Sequence, residues 1–168
     1  NWVGLWTLFS KETTRFLKVF YQTVLAPVVT NILFLTVFLI VIDREDFVIG
    51  GVSYPEFLVP GLIMMQILQN AFMNTTSTIM IAKVQGNIVD ILLPPLSSFE
   101  LTLAISLGGV ARGMIVGLAS IITLYFFIDM NFVNFFYIIF FSLSGSLALS
   151  LLGIMGGIWS EKFDHMAG

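Results

Sequence analysis

The sequence predicts an all-α membrane protein, and three observations carry that prediction. Of its 168 residues, 58% are hydrophobic and 10% are charged, with a mean hydropathy of +1.00, whereas charged residues make up about 25% of a soluble domain. Four apolar runs, Val19–Ile42, Phe57–Ala82, Leu101–Ile128 and Phe132–Trp159, are 24 to 28 residues long. Each exceeds the roughly 20 residues needed to cross ~30 Å of hydrocarbon at ~1.5 Å per residue. Arg112 is the single charge inside them; all others lie between or beside the runs.

The elements follow in chain order as one partial transmembrane domain. Residues 1–22 read as an amphipathic helix at the membrane surface. At about 100° per residue, Trp2, Leu5, Trp6, Phe9, Thr13, Phe16 and Phe20 fall on one side and Lys11, Arg15 and Lys18 on the other. Rings among acyl chains and cations near anionic headgroups suit that interface; the competing reading, a core helix of a soluble domain, lacks such a domain to pack on. Residues 23–42 form the first span, with Pro27 near its start where a missing donor is tolerated. Residues 43–56 form an extracytoplasmic loop that opens on Asp43-Arg44-Glu45-Asp46 and turns at Gly50-Gly51, which permits positive φ in a small hairpin.

Residues 57–82 form the second span. Gln66, Asn70, Asn74 and Thr78 recur every four residues and draw one polar stripe, with Gln69 and Ser77 beside it. Unpaired amides in hydrocarbon are costly, so the stripe is expected to face protein or water, either as helix-to-helix hydrogen bonds or as the lining of a substrate path.

Residues 83–100 leave the membrane. Gly86 ends the preceding helix, Asn87 is placed to cap a short helix over Asn87–Leu93, Asp90 suits its N-terminal dipole, and Pro94-Pro95 stops it. Ile88, Ile91 and Leu92 give this piece an apolar edge. Ser97 and Glu100, three apart, then form a capping box for the third span, residues 101–128. Gly109, Gly113 and Gly117 present a smooth face there, as do Ser142, Ser146, Ser150, Gly153 and Gly157 in the fourth span, residues 132–159. Small residues allow close helix approach, and the two faces are expected to meet in an antiparallel hairpin through the Asp129-Met130-Asn131 turn. Residues 160–168 are a polar tail.

Arg112 has two readings. If the third helix runs unbroken from Ser97, Arg112 lies midway, and its partner is the amide stripe, a further segment, a second subunit or an anionic substrate group. If Glu100–Gly109 forms a bent elbow at the surface, Arg112 is an anchor reaching headgroup phosphate.

Several functions are excluded or disfavoured. There is no cysteine for disulfides or thiolate metal sites, and no Walker lysine, paired helical histidine or nucleophile elbow. His165 beside Asp164 and Glu161 is a weak metal cluster and reads as a solvated tail. A net charge of -3 spread over loops carries no nucleic-acid signal. The first residues lack the pattern of a signal peptide, so the spans are expected to be internal ones. Lys11, Arg15, Lys18, Lys83 and Lys162 on one side face only Arg44 in the loops of the other, which makes the first side, with the N-terminus and the Asn87–Leu93 helix, cytoplasmic.

Taken together, the surface helix, the first span, the string YPEFLVPGLIMM over 54–65, the Gln85–Pro95 loop and VARGMIVG over 110–117 resemble the permease subunit of ABC-2 type exporters, closest to bacterial multidrug and nodulation-factor permeases. The resemblance implies a six-span permease in the bacterial inner (plasma) membrane. It implies a homodimer that binds two copies of a separate ABC-type ATPase, so ATP and Mg belong to that partner and this chain holds no cofactor and no catalytic residue. It makes Trp2, Trp6, Phe9, Lys11, Arg15 and Lys18 part of a connecting helix, and Asn87, Ile88, Asp90, Ile91 and Leu92 part of a coupling helix. It also makes Gln66, Asn70, Asn74, Thr78 and Arg112 candidate pathway residues for a lipid, glycan or amphipathic cargo. Four spans against six imply a C-terminally truncated chain. Two other classes stay open beside it. An ion-coupled secondary transporter calls for acidic or histidine residues within the spans, and a non-transport assembly module calls for packed helices alone.

Overall fold

The computed structural model describes residues 1–42, 48–49, 51–128 and 134–160. Helix α1 covers Trp2–Lys18 and ends in a turn at Val19. A five-residue π-helical segment, Tyr21–Leu25, leads into α2, Ala26–Ile42. The widened turn lies immediately before Pro27, whose ring clashes with the carbonyl four residues back in a regular helix. The Thr23 hydroxyl lies 2.9 Å from the Phe16 carbonyl and 3.0 Å from that of Val19, bridging the break between the two helices.

Two-residue strands β1, Val48–Ile49, and β2, Val52–Ser53, pair antiparallel around Gly51, whose φ is +87°. The hairpin is as expected at Gly51; Gly50 lies outside the described residues, as do Asp43–Asp46, the Asp129–Asn131 turn and the Glu161–His165 tail. Helix α3 then runs from Tyr54 to Val84, three residues earlier and two later than the apolar run. The earlier start has a local cause: Ser53 and Glu56 form a capping box, and Pro55 occupies the first turn, where no donor is missed.

Gly86, at φ +72°, turns the chain out of α3. The short helix α4 covers Ile88–Leu92, with Asn87 at its N-cap. The cap differs from expectation: the Asn87 side chain donates to Gln85 Oε1 (3.2 Å) instead of accepting from the helix. Helix α5, Ser98–Tyr125, begins at a complete capping box of Ser97 and Glu100, and α6 covers Phe135–Trp159. Because α5 is one unbroken helix, the bent elbow over Glu100–Gly109 is not formed, and Arg112 sits midway along it.

The segment from the π-helical turn into α2, together with α3, α5 and α6, supplies four helices long and apolar enough to cross a membrane. Helix α3 is their hub. A Cβ on Gly109 would lie 2.9 Å from the Ala71 carbonyl oxygen, and one on Gly113 would lie 2.7 Å from that of Ile67, so the glycine face of α5 closes on α3. The small face of α6 does the same from the other side: a Cβ on Gly153 would lie 2.6 Å from the Phe72 carbonyl, and one on Gly157 3.2 Å from that of Thr76. The third and fourth spans pack antiparallel as expected, but their small faces turn chiefly to α3 instead of to each other. Ser150 of α6 reaches the glycine face of α5 at Gly109, and the backbone atoms nearest both small faces belong to the second span. Thr76 fixes the α3–α6 seam by donating to the Gly153 carbonyl at 3.0 Å.

The apolar core at one end gathers Leu35 of α2, Val59, Leu62, Ile63 and Ile67 of α3 and Leu124 of α5. A second, smaller group at the other end joins Ile79, Ile105 and Ile154. Lys83 ties α3 to the last turn of α6 at that second end, donating to the Ile158 and Ser160 carbonyls, the orphan acceptors a helix C-terminus leaves.

Candidate functional site

The stripe predicted on the second span is buried. Gln66, Asn70, Asn74 and Thr78 are 7%, 4%, 0% and 4% exposed, whereas Gln69 is exposed. Asn70 donates to Gln66 within the stripe, at 3.0 Å to its carbonyl and 3.3 Å to its side chain. Asn74 and Thr78 are met from outside the spans, by α1.

Helix α1 runs in the same direction as α5. Its Gly4 lies against Leu96 and its Glu12 against Gly108, where a Cβ would come within 2.8 Å of the Glu12 Cβ. The buried stripe of α1 is Leu5, Glu12 and Phe16. Glu12 is only 3% exposed; its carboxylate pairs with Arg15 at 2.9 Å and accepts from the Thr78 hydroxyl at 2.6 Å. Arg15 Nη2 lies 2.5 Å from Thr78 Oγ1, 3.2 Å from the Asn74 carbonyl and 3.3 Å from Asn74 Oδ1. Buried charges are tolerated when paired and hydrogen-bonded, and this cluster meets that condition through four side chains on two helices.

The division of α1 into an aromatic side among lipids and a basic side in solvent therefore changes at Leu5 and Phe16, which are buried against the bundle, and at Arg15. Trp2 and Trp6 are 83% and 67% exposed, Phe9 is half-buried, and Lys11 and Lys18 are exposed, but Arg15 turns inward to the bundle. Glu12 was not singled out by sequence reasoning, although one signal was present: Leu5, Glu12 and Phe16 follow spacings of seven and four and share a stripe. Asn31 was missed as well; it is 1% exposed and donates to Ser120 of α5 at 3.0 Å.

Arg112 is half-buried, and its Nε has no hydrogen-bond partner among the described residues. It lies one turn beyond Gly108, on the α5 face that meets Glu12. The Asn74 Nδ2 amide, also buried and unpartnered, lies 3.7 Å from a Cβ built on Gly108.

No residue of α4 is buried. Ile88 and Ile91 are half-buried, whereas Val89, Asp90 and Leu92 are exposed, as is Leu93 beyond them. The inner side faces α1 across a groove of about 240 Å³ lined by Gly4, Leu8, Lys11, Asp90, Ile91 and Leu96, among others. Asn87 stands exposed at the start of the helix. Among the described residues no group of His, Cys, Asp and Glu could hold a metal ion.

Four apolar helices around a buried polar stripe, with a short exposed helix outside them, define a polytopic α-helical membrane protein. The family model for ABC-2 type transporters matches residues 3–168, and the chain belongs to that family. The inner membrane transport permease YadH of Escherichia coli K12 is 32% identical over 166 residues, covering 99% of this chain and 65% of that protein. The YadH permeases of Escherichia coli O157:H7 and Shigella flexneri match to the same extent. The chain thus spans just under two thirds of the length of these relatives. No solved structure matches it.

Proposed function

We propose that this chain is the larger part of the permease subunit of an ATP-driven exporter, acting as a homodimer with two copies of a separate ABC-type ATPase. The observation that carries the reading is α4. A helix of five residues cannot hold itself together in water, yet here it is framed by Gly86 and Pro94-Pro95, keeps Ile88 and Ile91 half-buried with Ile91 lining the groove against α1, and presents Val89, Leu92 and Leu93 outward. An exposed apolar knob on a short rigid arm between two spans suits the cleft of a partner protein. Movement of the ATPases on ATP binding would push this arm, and α1 and α3 would carry the displacement into the spans. ATP and Mg are handled by the partner.

The charge asymmetry of the sequence supports a cytoplasmic side for α1, α4 and the N-terminus in a bacterial inner membrane. A lipid, glycan or amphipathic cargo would then pass toward the side of the β1–β2 hairpin. Family membership favours this reading over ion coupling or a passive assembly role.

The test is association in membranes between the intact permease and its ATPase after Val89→Asp and Leu92→Asp, with Phe57→Leu on the outer face of α3 as a control. Loss of ATPase retention and of cargo-stimulated ATP hydrolysis is the expected result. Undiminished association and transport in the doubly substituted protein would refute the role of α4.

A further inference from the structure

We infer that the Glu12 carboxylate has two seats on α3, the Thr78 hydroxyl that it occupies in this structure and the Asn74 side-chain amide one turn away, and that α1 shifts along the second span as it changes seat. The first observation is a stranded donor. Asn74 is fully buried and its Oδ1 accepts from Arg15, yet its Nδ2 has no acceptor among the described residues. Buried donors without acceptors are rare in native structures, so this one marks a contact made in another arrangement. The acceptor at hand is Glu12. Its stem and Asn74 Nδ2 converge on Gly108, where a Cβ would lie 2.8 Å from Glu12 Cβ, 3.5 Å from its Cγ and 3.7 Å from Asn74 Nδ2. Gly108 puts no side chain between them.

The hydrogen bonds already in place lower the cost of the exchange. The Thr78 hydroxyl has one proton and two acceptors within reach, Glu12 Oε2 at 2.6 Å and the Asn74 carbonyl at 2.9 Å. When Glu12 leaves, that proton falls back on the carbonyl and Thr78 stays satisfied. Arg15 need not let go either. Its Nη2 meets Glu12 Oε2 at 2.9 Å and already reaches Thr78 Oγ1, the Asn74 carbonyl and Asn74 Oδ1 at 2.5, 3.2 and 3.3 Å, so it bridges both seats. At the second seat the carboxylate gains the Nδ2 donor that is unused at the first. Two hydrogen-bonded arrangements of one polar set make a bistable junction, which moves in a discrete step. Asn74 and Thr78 stand four residues apart on one face of α3, about 6 Å along the axis, and this spacing bounds the step.

The other contacts of α1 permit it. Leu5 and Phe16, the remaining buried residues of that helix, are apolar, and apolar contacts are non-directional. Near the start of α1, a Cβ on Gly4 would lie 2.8 Å from Leu96 Cδ2, in the segment between α4 and α5, so a displacement of α4 reaches α1 there. The use of the step in transport rests on the exporter reading; the second seat itself does not.

The test uses the intact permease in lipid nanodiscs without nucleotide, spin-labelled through Ser10→Cys on α1 and Met65→Cys on α3, both exposed positions, with the label distance read by pulsed dipolar spectroscopy. Thr78→Val takes away the first seat, and the distance is expected to change by about 3–6 Å. In Thr78→Val/Asn74→Asp the Nδ2 donor is replaced by an oxygen while Arg15 keeps its acceptor, and the change should vanish. A distance unmoved by Thr78→Val, or the same change in the double variant, would overturn the second seat. With the ATPase bound, Asn74→Asp alone should lower the cargo moved per ATP hydrolysed by about tenfold, the scale of one hydrogen bond to a charged group. A merely structural contact would tolerate that variant, which keeps the shape and the Arg15 contact. Undiminished coupling would overturn the step in transport. A wild-type permease that retains no ATPase would instead sink the exporter reading, and the label distances would still decide the seat.

Discussion

The Thr78 hydroxyl lies 2.6 Å from the Glu12 carboxylate, joining α3 to α1 across 66 residues of sequence. Both groups are buried, at 4% and 3% exposure, and Arg15 touches each of them. The contact makes α1 part of the bundle instead of a helix merely resting on it. Thr78→Val keeps the shape and removes the hydroxyl, leaving the carboxylate short of a donor. The expected loss is about 1–3 kcal/mol of unfolding free energy, read from unfolding in mixed micelles, with Thr78→Ser close to wild type. In a double-mutant cycle, Glu12→Gln and Thr78→Val should be coupled by more than about 0.5 kcal/mol; strictly additive effects would mean the contact carries no energy.

The glycines divide into two groups by what surrounds them. A Cβ on Gly113 would lie 2.7 Å from the Ile67 carbonyl oxygen, a backbone atom that moves only if α3 does, whereas nothing lies within 4 Å of a Cβ on Gly61. Gly113→Ala is therefore expected to push α5 away from α3 and to cost about 1–3 kcal/mol through overpacking. Gly61→Ala removes backbone freedom from the unfolded chain in an open position of α3 and should stabilise by about 0.5–1 kcal/mol. Thermal denaturation of the two single variants checks the pair, and a common sign for both would contradict this packing.

The same glycines show how far the sequence could be read. Spacings of four announced that α5 and α6 each carry a face for close approach, but periodicity names a face and not its partner. Both faces went to α3 because its backbone between Ile67 and Thr76 is reachable from two sides. The amide stripe was legible for a firmer reason: Gln66, Asn70, Asn74 and Thr78 recur every four residues on one face of a charge-free run, so burial against protein was the inexpensive outcome. Arg15 and Glu12 were harder. On an amphipathic helix charges are assigned to solvent by default, and the groups that draw these two inward stand 59 to 66 residues away. Asn31 carried no periodic signal, being a lone amide in the first span.

Lys83 makes a prediction about helix ends. Its ammonium donates to the carbonyls of Ile158 and Ser160, where the dipole of α6 concentrates negative charge. Lys83→Met keeps the aliphatic stem and removes the donor. The last turn of α6 should then fray, with amide hydrogen exchange over Gly156–Ser160 faster by about fivefold, corresponding to about 1 kcal/mol. Exchange unchanged in that segment would show that water satisfies these carbonyls as well as the lysine does.

Asn31 and Ser120 offer a sharper test of how buried polar pairs act between spans. Asn31 Nδ2 donates to Ser120 Oγ at 3.0 Å, both residues are at most 1% exposed, and the Asn31 Oδ1 atom is left unpartnered. Pairs of this kind in membrane bundles contribute about 0.6–1.7 kcal/mol, while an amide stranded by loss of its partner costs about 1–3 kcal/mol. Ser120→Ala should therefore destabilise by more than the pair itself is worth, because the whole Asn31 amide is then unsatisfied between α2 and α5. Asn31→Leu replaces the amide with an apolar side chain of similar size and removes the unpartnered oxygen, so the double variant Asn31→Leu/Ser120→Ala should recover most of the loss seen in Ser120→Ala. Stability of the three proteins in mixed micelles decides the matter: a double variant no more stable than Ser120→Ala would mean that packing around residue 31, and not hydrogen bonding, holds α2 against α5.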